Sequence, residues 1–364
     1  GADDAVLEIS SGTVAIDHGN PNNQHSVEIL SDGKIELSGS GTLVHDAYVN
    51  DNWSENFIVQ SGGVYRQTGG TAKFDNQANN YWTLNIQSGG LFQLLGGTFY
   101  NDAIISNYGT MELGEAQFYL ASSDTQSSAS FTNYAGSRIS AQKTTFRQYG
   151  LNTNGIVVQA GALIGTTPGD DLHDFDLCSF LSWRNNGSAR ALYLQNEESF
   201  TITSPRFDHT TGTNIDKSSA GLVTVTGPSL GARWGELHDG DEDGTEEHTV
   251  DWPNTCSLTG ADDEEAKADS PAEGEQIHTT CGTTLTATGF GGSNLIWSIA
   301  PSSVASPSSG NGSPTPAVTL LGDATITWQD TLPPGLWTGA VNTNWNTGGN
   351  WQGGARPTRL VDAI

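Results

Sequence analysis

The chain has 364 residues and a formal net charge of −27, with 14 basic against 41 acidic side chains. Such a charge repels phosphate backbones, so we expect no nucleic acid partner. The sequence has no apolar run of about 18 residues, so we expect no membrane insertion. Its 45 glycines, 13 prolines and single methionine favour an all-β protein over a helical one.

A repeated segment predicts the architecture of the first two thirds of the chain. Residues 61–71 and 88–98 contain the same two Gly-Gly pairs, 27 positions apart and in register. That offset is the size of one β-solenoid coil, in which glycines turn corners with positive φ and apolar residues point into the stack. We therefore predict a right-handed parallel β-helix of about nine coils over residues 1–252. Weaker echoes of the repeat occur at residues 9–12, 29–33, 107–110, 133–137, 157–163, 191–196 and 221–227.

A different pattern follows the predicted solenoid. Short alternating segments with frequent turn residues predict a β-sandwich over residues 253–332, with an acidic insertion and with Trp297 and Trp328 in its core. Cys256 and Cys281 bracket the insertion and can form a disulfide, which fits an oxidising, extracellular location. Cys178 lies in an apolar run and is predicted to be buried.

Two runs in the last third resemble a known class of surface proteins. The run from Cys281-Gly282-Thr283 through Trp297-Ser298 to Trp328 resembles the PKD-like, immunoglobulin-type modules of giant secreted Bacteroidota proteins, of which SprB-type gliding adhesins are an example. The run Leu336-Trp337-Thr338-Gly339, with Trp345, Asn350-Trp351 and Pro357-Thr358, is similar to the motif that introduces a β-helical segment in such proteins. The resemblance implies an Ig-like module, cell-surface location and type IX secretion.

The end of the sequence adds an expectation about neighbouring units. Residues 333–364 form a Trp-rich motif, and Asp362-Ala363-Ile364 mirrors Asp4-Ala5-Val6 near the beginning. We therefore predict that this last segment leads into a next β-helix unit, and that the partners are neighbouring repeat units of the same polypeptide or filament.

One acidic segment has the spacing of a calcium loop. Asp239, Asp241 and Asp243 alternate in a D-x-D-x-D-G pattern, which lets carboxylates converge on one hard cation. Val250 occupies the position where such a loop places its bidentate Glu, so the pattern is incomplete. Bound Ca²⁺ and a solvated acidic linker are both compatible with these residues.

A second acidic segment raises an enzymatic alternative. Carboxylates and an imidazole occur together in residues 170–176, with Arg184, Arg190 and Arg206 following in sequence. Polysaccharide lyases and hydrolases built on β-helices use such groups on loops. The spacing fixes no acid/base pair, and a solvated loop explains the same residues. The candidate residues for this enzymatic activity are Asp170, Asp171, His173, Asp174 and Asp176.

Aromatic residues of the predicted solenoid, Tyr100 among them, are possible ligand contacts, and two tryptophans are the better candidates. Trp53 and Trp82 lie in long insertions between predicted strands, where an indole can stack on a sugar ring or cover the edge of the solenoid. Tyr108 and Tyr134 recur at equivalent coil positions and are predicted to stack on each other as a stabilising ladder. The function predicted from these features is that of a non-catalytic structural segment of an extracellular filament or adhesin, which gives reach and attaches to polysaccharide or other surfaces.

Overall fold

The chain is all-β in the computed structural model, which has no α-helix within the residues that it describes. It divides into two compact units, Gly1–Pro253 and Asn254–Ile364, with the division beside the one predicted after Trp252. The predicted third segment, 333–364, lies outside the described residues. These are residues 5–17, 26–46, 56–75, 83–101, 104–120, 130–148, 155–165, 174–181, 190–208, 213–227, 229–230, 250–252, 255–263, 266–291 and 295–330.

The first unit consists of short strands separated by tight turns and by longer connections. Its strands are β1 (Ala5–Ile9), β2 (Thr13–Asp17), β3 (Ser26–Ile29), β4 (Gly33–Leu37), β5 (Thr42–Asp46), β6 (Asn56–Val59), β7 (Val64–Asp75), β8 (Thr83–Ile86), β9 (Leu91–Asn101), β10 (Ile104–Asn107), β11 (Thr110–Leu120), β12 (Ser130–Asn133), β13 (Arg138–Gln142), β14 (Thr145–Gln148), β15 (Ile156–Val158), β16 (Leu163–Ile164), β17 (Asp174–Asp176), β18 (Ser179–Leu181), β19 (Arg190–Leu194), β20 (Phe200–Thr203), β21 (Arg206–Asp208), β22 (Thr213–Lys217), β23 (Val223–Thr226), β24 (Ser229–Leu230) and β25 (Val250–Asp251).

These strands stack in parallel, which confirms the prediction of a parallel β-solenoid for this unit. One face is a ladder of eight strands in the order β22-β19-β15-β12-β10-β8-β6-β3, and a thirteen-stranded sheet contains β7, β9 and β11. The solenoid has about six turns, fewer than the nine predicted. The last repeat counted in the sequence, at residues 221–227, lies on β23, which pairs with β20 and β25 in a separate three-stranded sheet and not in the eight-stranded ladder.

The repeated glycine pairs make the corners, as the spacing predicts. Gly62 and Gly89 have φ values of 79° and 81°, in the left-handed region that glycine adopts without strain. The second glycine of each pair is required by packing. A Cβ on Gly63 would lie 2.3 Å from the carbonyl oxygen of Ile29 in the preceding coil, and one on Gly90 would lie 2.5 Å from that of Val59.

A column of phenylalanines fills the interior. Strand pairing places one phenylalanine of each of five successive coils directly above the next. All five are buried, with ring centroids 5.0 to 5.9 Å apart between successive coils. Because each coil buries its ring against two neighbours, the coils stabilise one another. The column contains Phe99, Phe118, Phe146, Phe180 and Phe207.

Two asparagines form a polar ladder inside the same stack. Asn107 Nδ2 donates to Asn133 Oδ1 over 2.8 Å, and Asn133 Nδ2 donates to the carbonyl oxygen of Val157 over 3.0 Å. Asn107 Oδ1 also accepts a hydrogen bond from the backbone N–H of Gly109. These contacts satisfy buried amides at a corner of the coil and hold consecutive turns in register.

The second unit is built from smaller sheets. Its main sheet contains β28-β26-β35-β31-β33, in which β26 and β35 are parallel and the other neighbours antiparallel. Trp297 and Trp328 lie opposite each other in this sheet and are buried, which confirms their predicted place in the core. The elements are β26 (Thr255–Ala261), β27 (Lys267–Ser270), β28 (Gln276–Thr280), β29 (Thr284–Leu285), β30 (Thr288–Phe290), β31 (Leu295–Ala300), a 3₁₀ turn (Ser302–Val304), β32 (Ala305–Ser306), β33 (Ser309–Asn311), β34 (Val318–Leu320) and β35 (Ala324–Asp330).

Candidate functional site

Four polar and aromatic side chains line up on the outer face of the solenoid. Pairing of β7, β9, β11 and β14 places Lys73 beside Tyr100, Tyr100 beside Tyr119, and Tyr119 beside Arg147, one residue from each of four successive coils. Each residue follows or precedes a buried neighbour, so the alternation of the strand puts it on the outside. We call this set the cation–tyrosine row.

The members of the row contact one another along the stacking direction. The rings of Tyr100 and Tyr119 stack with centroids 4.5 Å apart and an angle of 22° between their planes. Lys73 Nζ lies 5.8 Å from the centroid of Tyr100, and Arg147 Cζ lies 6.0 Å from that of Tyr119. A cation thus lies next to the outer face of each of the two stacked rings.

The row is basic on an acidic chain. Among the side chains that the structure describes, no carboxylate forms an ion pair with Lys73 or Arg147, whereas Lys143 pairs with Glu115 over 2.6 Å. Arg147 Nε is buried and has no hydrogen-bond partner in the described part of the chain. The row therefore carries two cationic and two phenolic side chains, about one side chain per 4.8 Å of the stack.

Two further tyrosines stack at a corner of the solenoid. Tyr108 and Tyr134 have ring centroids 4.3 Å apart and planes within 9° of each other, which confirms the predicted ladder. Burial, followed by the neighbouring Tyr134, raises the pKa of the Tyr108 phenol. Among the described residues no cation lies over either ring of this pair, and the rings are best explained as a stabilising stack.

The predicted metal and ligand contacts lie outside the described residues. These are the acidic loop with Asp239, Asp241 and Asp243, and the two tryptophans, Trp53 and Trp82. Within the described ranges, no cluster of three or more His, Cys, Asp or Glu side chains has the geometry to hold a metal ion.

The second acidic segment is described only in part. Asp170, Asp171 and His173 lie outside the described residues, as does the side chain of Asp174. Asp176 Oδ1 accepts a hydrogen bond of 2.8 Å from the backbone N–H of Thr203 in the next coil. Arg190 pairs with Asp216, and its guanidinium lies 4.3 Å from the ring centroid of Tyr193. Asp176 and Arg190 therefore each have a structural contact that joins neighbouring strands or loops.

The cysteines occupy two different environments. Cys256 and Cys281 form a disulfide with their Cα atoms 5.1 Å apart, the pairing that their positions around the acidic segment made possible. Cys178 is a free, fully buried thiol, and burial raises its pKa well above the usual value. A thiol with a raised pKa is a poor nucleophile at neutral pH, which fits its predicted role as a small apolar residue.

Sequence reasoning missed three members of the row, Lys73, Tyr119 and Arg147. The sequence does contain a sign of the row, because the dipeptide Phe-Tyr occurs at 99–100 and again at 118–119. Lys73 and Arg147 are likewise each adjacent in sequence to a phenylalanine that is buried in the solenoid. The distances between these positions vary with the length of the connecting loops. A fixed period of 27 residues therefore aligns Lys73 with Tyr100 but does not align Tyr119 or Arg147 with them.

Comparison with protein-family models, with curated proteins and with solved structures finds no match to this chain. In the portion described by the structure, no helix has the length and apolar character needed to cross a membrane.

Proposed function

We propose that this chain is a non-catalytic structural segment of a long extracellular filament or adhesin, which provides reach and attaches to polysaccharide or similar surfaces. The observation that carries the proposal is the column of five phenylalanines in register through successive coils. Parallel ladders on either side of this column give each coil hydrogen bonds to two neighbours. Such a stack suits a load-bearing spacer.

The second unit fits the role of an Ig-like joint between longer modules. This role is supported by the parallel pairing of β26, the first described strand of the unit, with β35, the last described strand. The buried Trp297 and Trp328 and the disulfide at Cys256 and Cys281 add to it. Disulfides persist mainly in oxidising surroundings, so the bond also supports an extracellular location.

The cation–tyrosine row is the proposed attachment site. Its donors suit the carboxylates and hydroxyls of an acidic polysaccharide that lies along the stack. The ring faces are already covered, so binding depends on hydrogen bonds and charge rather than on stacking of sugar rings. Electrostatic contacts at an exposed surface weaken as salt increases. We therefore expect retention of acidic glycans at low ionic strength.

Binding to an immobilised acidic polysaccharide, with polygalacturonate as the probe and a neutral glucan as the comparison, tests this proposal. Tyr119→Ala and Arg147→Gln should each weaken retention about tenfold, because each removes donors to an anionic ligand. The matched control is Arg138→Gln, since Arg138 lies on the same sheet and donates to the Gly165 carbonyl oxygen over 2.9 Å. Equal retention of all variants on both polymers would refute the assignment of the row.

The same samples test the enzymatic alternative. A β-helix lyase or hydrolase would release new chain ends from the polymer, with or without calcium, and would lose this activity when Asp170, Asp174 or Asp176 is replaced by Asn. The proposal predicts intact polymer in every sample. The calcium arm also tests the loop with Asp239, Asp241 and Asp243, because a loop that holds Ca²⁺ should change the melting temperature when the ion is added.

A further inference from the structure

An amine, a carboxamide and a carboxylate lie close together inside the last coils of the solenoid. Strands β19 and β22 pair in parallel so that Lys217 stands directly beneath Leu194, at an inward-facing position. The side chain is 5% exposed, although Lys is rarely buried without a specific reason. It therefore occupies a position that an apolar residue fills in the coil above.

The contacts of Lys217 fix its amine on Asn196. Lys217 Nζ donates a hydrogen bond to the backbone carbonyl oxygen of Asn196 and lies 3.3 Å from Ser219 Oγ. Ser219 Oγ donates to the same carbonyl oxygen. The amine of Lys217 is thus directed at Asn196, which lies two residues after the end of β19. Covalent geometry keeps the backbone oxygen and Cγ of one asparagine within about 5 Å of each other, so the reaction proposed below requires Nζ to move by about that distance through rotation of the Lys217 side chain.

The carboxamide of Asn196 is fully buried next to a carboxylate. Its Nδ2 lies 3.4 Å from Glu198 Oε2, and its Oδ1 has no hydrogen-bond partner among the described residues. Glu198 Oε2 also accepts a hydrogen bond of 2.8 Å from the backbone N–H of Ile164, one coil earlier. Three successive coils therefore supply the carboxylate anchor, the carboxamide and the amine.

We propose that Lys217 and Asn196 form an intramolecular isopeptide bond, with Glu198 as the group that transfers the proton. The Nζ–Cγ bond forms while the Cγ–Nδ2 bond of Asn196 breaks, and the nitrogen leaves as ammonia. Glu198 accepts a proton from Nζ and delivers it to Nδ2, the atom it already contacts. Amine and carboxamide become a secondary amide and ammonia, so no oxidant, reductant or further reactant is needed.

The surroundings favour this step. Attack requires the neutral amine, and burial lowers the pKa of Lys217, although Glu198 and Glu197 act in the opposite direction. The product joins the coil that contains β19 covalently to the coil that contains β22, near the C-terminal end of the solenoid. This inference does not depend on glycan binding by the cation–tyrosine row.

Intact mass spectrometry of the folded, purified chain, measured after reduction and unfolding, tests the proposal. We expect a mass lower than that of the sequence by one ammonia, about 17 Da. Trypsin should then fail to cleave after Lys217 and should yield residues 191–206 joined to residues 207–233. This branched peptide distinguishes the isopeptide bond from a succinimide elsewhere, which also loses ammonia.

Three variants complete the experiment. Lys217→Arg and Glu198→Gln should have the full mass of their sequences, the first because the nucleophile is lost and the second because the proton transfer is lost. Lys143→Arg, a surface lysine paired with Glu115, should keep the loss of ammonia. If either test variant does not fold, the peptide map of the natural chain decides alone. Full mass and separate peptides in that chain would overturn the proposal, as would an ammonia loss that persists in folded Lys217→Arg.

Discussion

Replacement of Phe146 by Ala tests the central column of the solenoid. Phe146 is fully buried, with ring centroids 5.9 Å from Phe118 and 5.3 Å from Phe180 in the coils on either side. Loss of most of the roughly 150 Å² that such a ring buries corresponds to about 4 kcal/mol at about 25 cal/mol per Å². The cavity cannot collapse easily, because ladder hydrogen bonds fix the strands above and below. We therefore expect the free energy of unfolding to fall by about 3–5 kcal/mol.

Denaturant unfolding followed by circular dichroism measures this loss, and hydrogen exchange locates it. Amides of β11, β14 and β18 should lose protection most, because each coil is stabilised by its direct neighbours. The matched control is Phe290→Ala, since Phe290 is 59% exposed in the second unit and should change stability by less than about 1 kcal/mol. A loss below about 1 kcal/mol for Phe146→Ala would refute the idea that the column holds the coils together.

Three further predictions concern other contacts. Asn133→Leu should reduce the free energy of unfolding by about 1–3 kcal/mol, measured by denaturant titration, because it leaves buried partners unsatisfied; an unchanged midpoint would contradict this. Reduction of the disulfide at Cys256 and Cys281 should lower the stability of the second unit by about 3 kcal/mol and leave exchange protection in the solenoid intact, whereas equal loss in both would count against independent units. The pKa of Tyr108 is raised on folding, so the unfolded chain ionises first. The stabilisation that the protonated Tyr108 phenol gives to the folded state is complete below about pH 10 and disappears as the pH rises through the folded pKa. Tyr108→Phe should therefore reduce the loss of stability that the natural chain shows at alkaline pH, measured by thermal melting as a function of pH.

The coil architecture could be predicted because it depends on local residues. Gly62 and Gly89 recur at a fixed offset and adopt the positive φ values that corners require. Tyr108 and Tyr134 follow strands of equal length, so their stacking could also be predicted. The number of turns was overestimated, and the segment 221–227 illustrates why: its apolar pattern predicts a strand but not the sheet that the strand joins.

The cation–tyrosine row and the buried pair of Lys217 and Asn196 were harder to predict from the sequence, for a different reason. Lys73 and Arg147 are far apart in sequence, and loops of unequal length separate the coils that bring them together. Lys217 and Asn196 give no sequence signal of burial, because polar residues at strand ends are usually exposed. Only the register between β19 and β22 places the lysine beneath Leu194.

Mechanical unfolding of the single chain, held at its two ends, tests the central claim most directly. The account predicts that the first unit resists extension and yields in successive steps, as groups of coils separate from a stack with a continuous aromatic core. If the isopeptide bond is present, residues 197–216 remain outside the released length. A first unit that extends smoothly at low force, without steps, would contradict the claim that stacked coils provide reach under load.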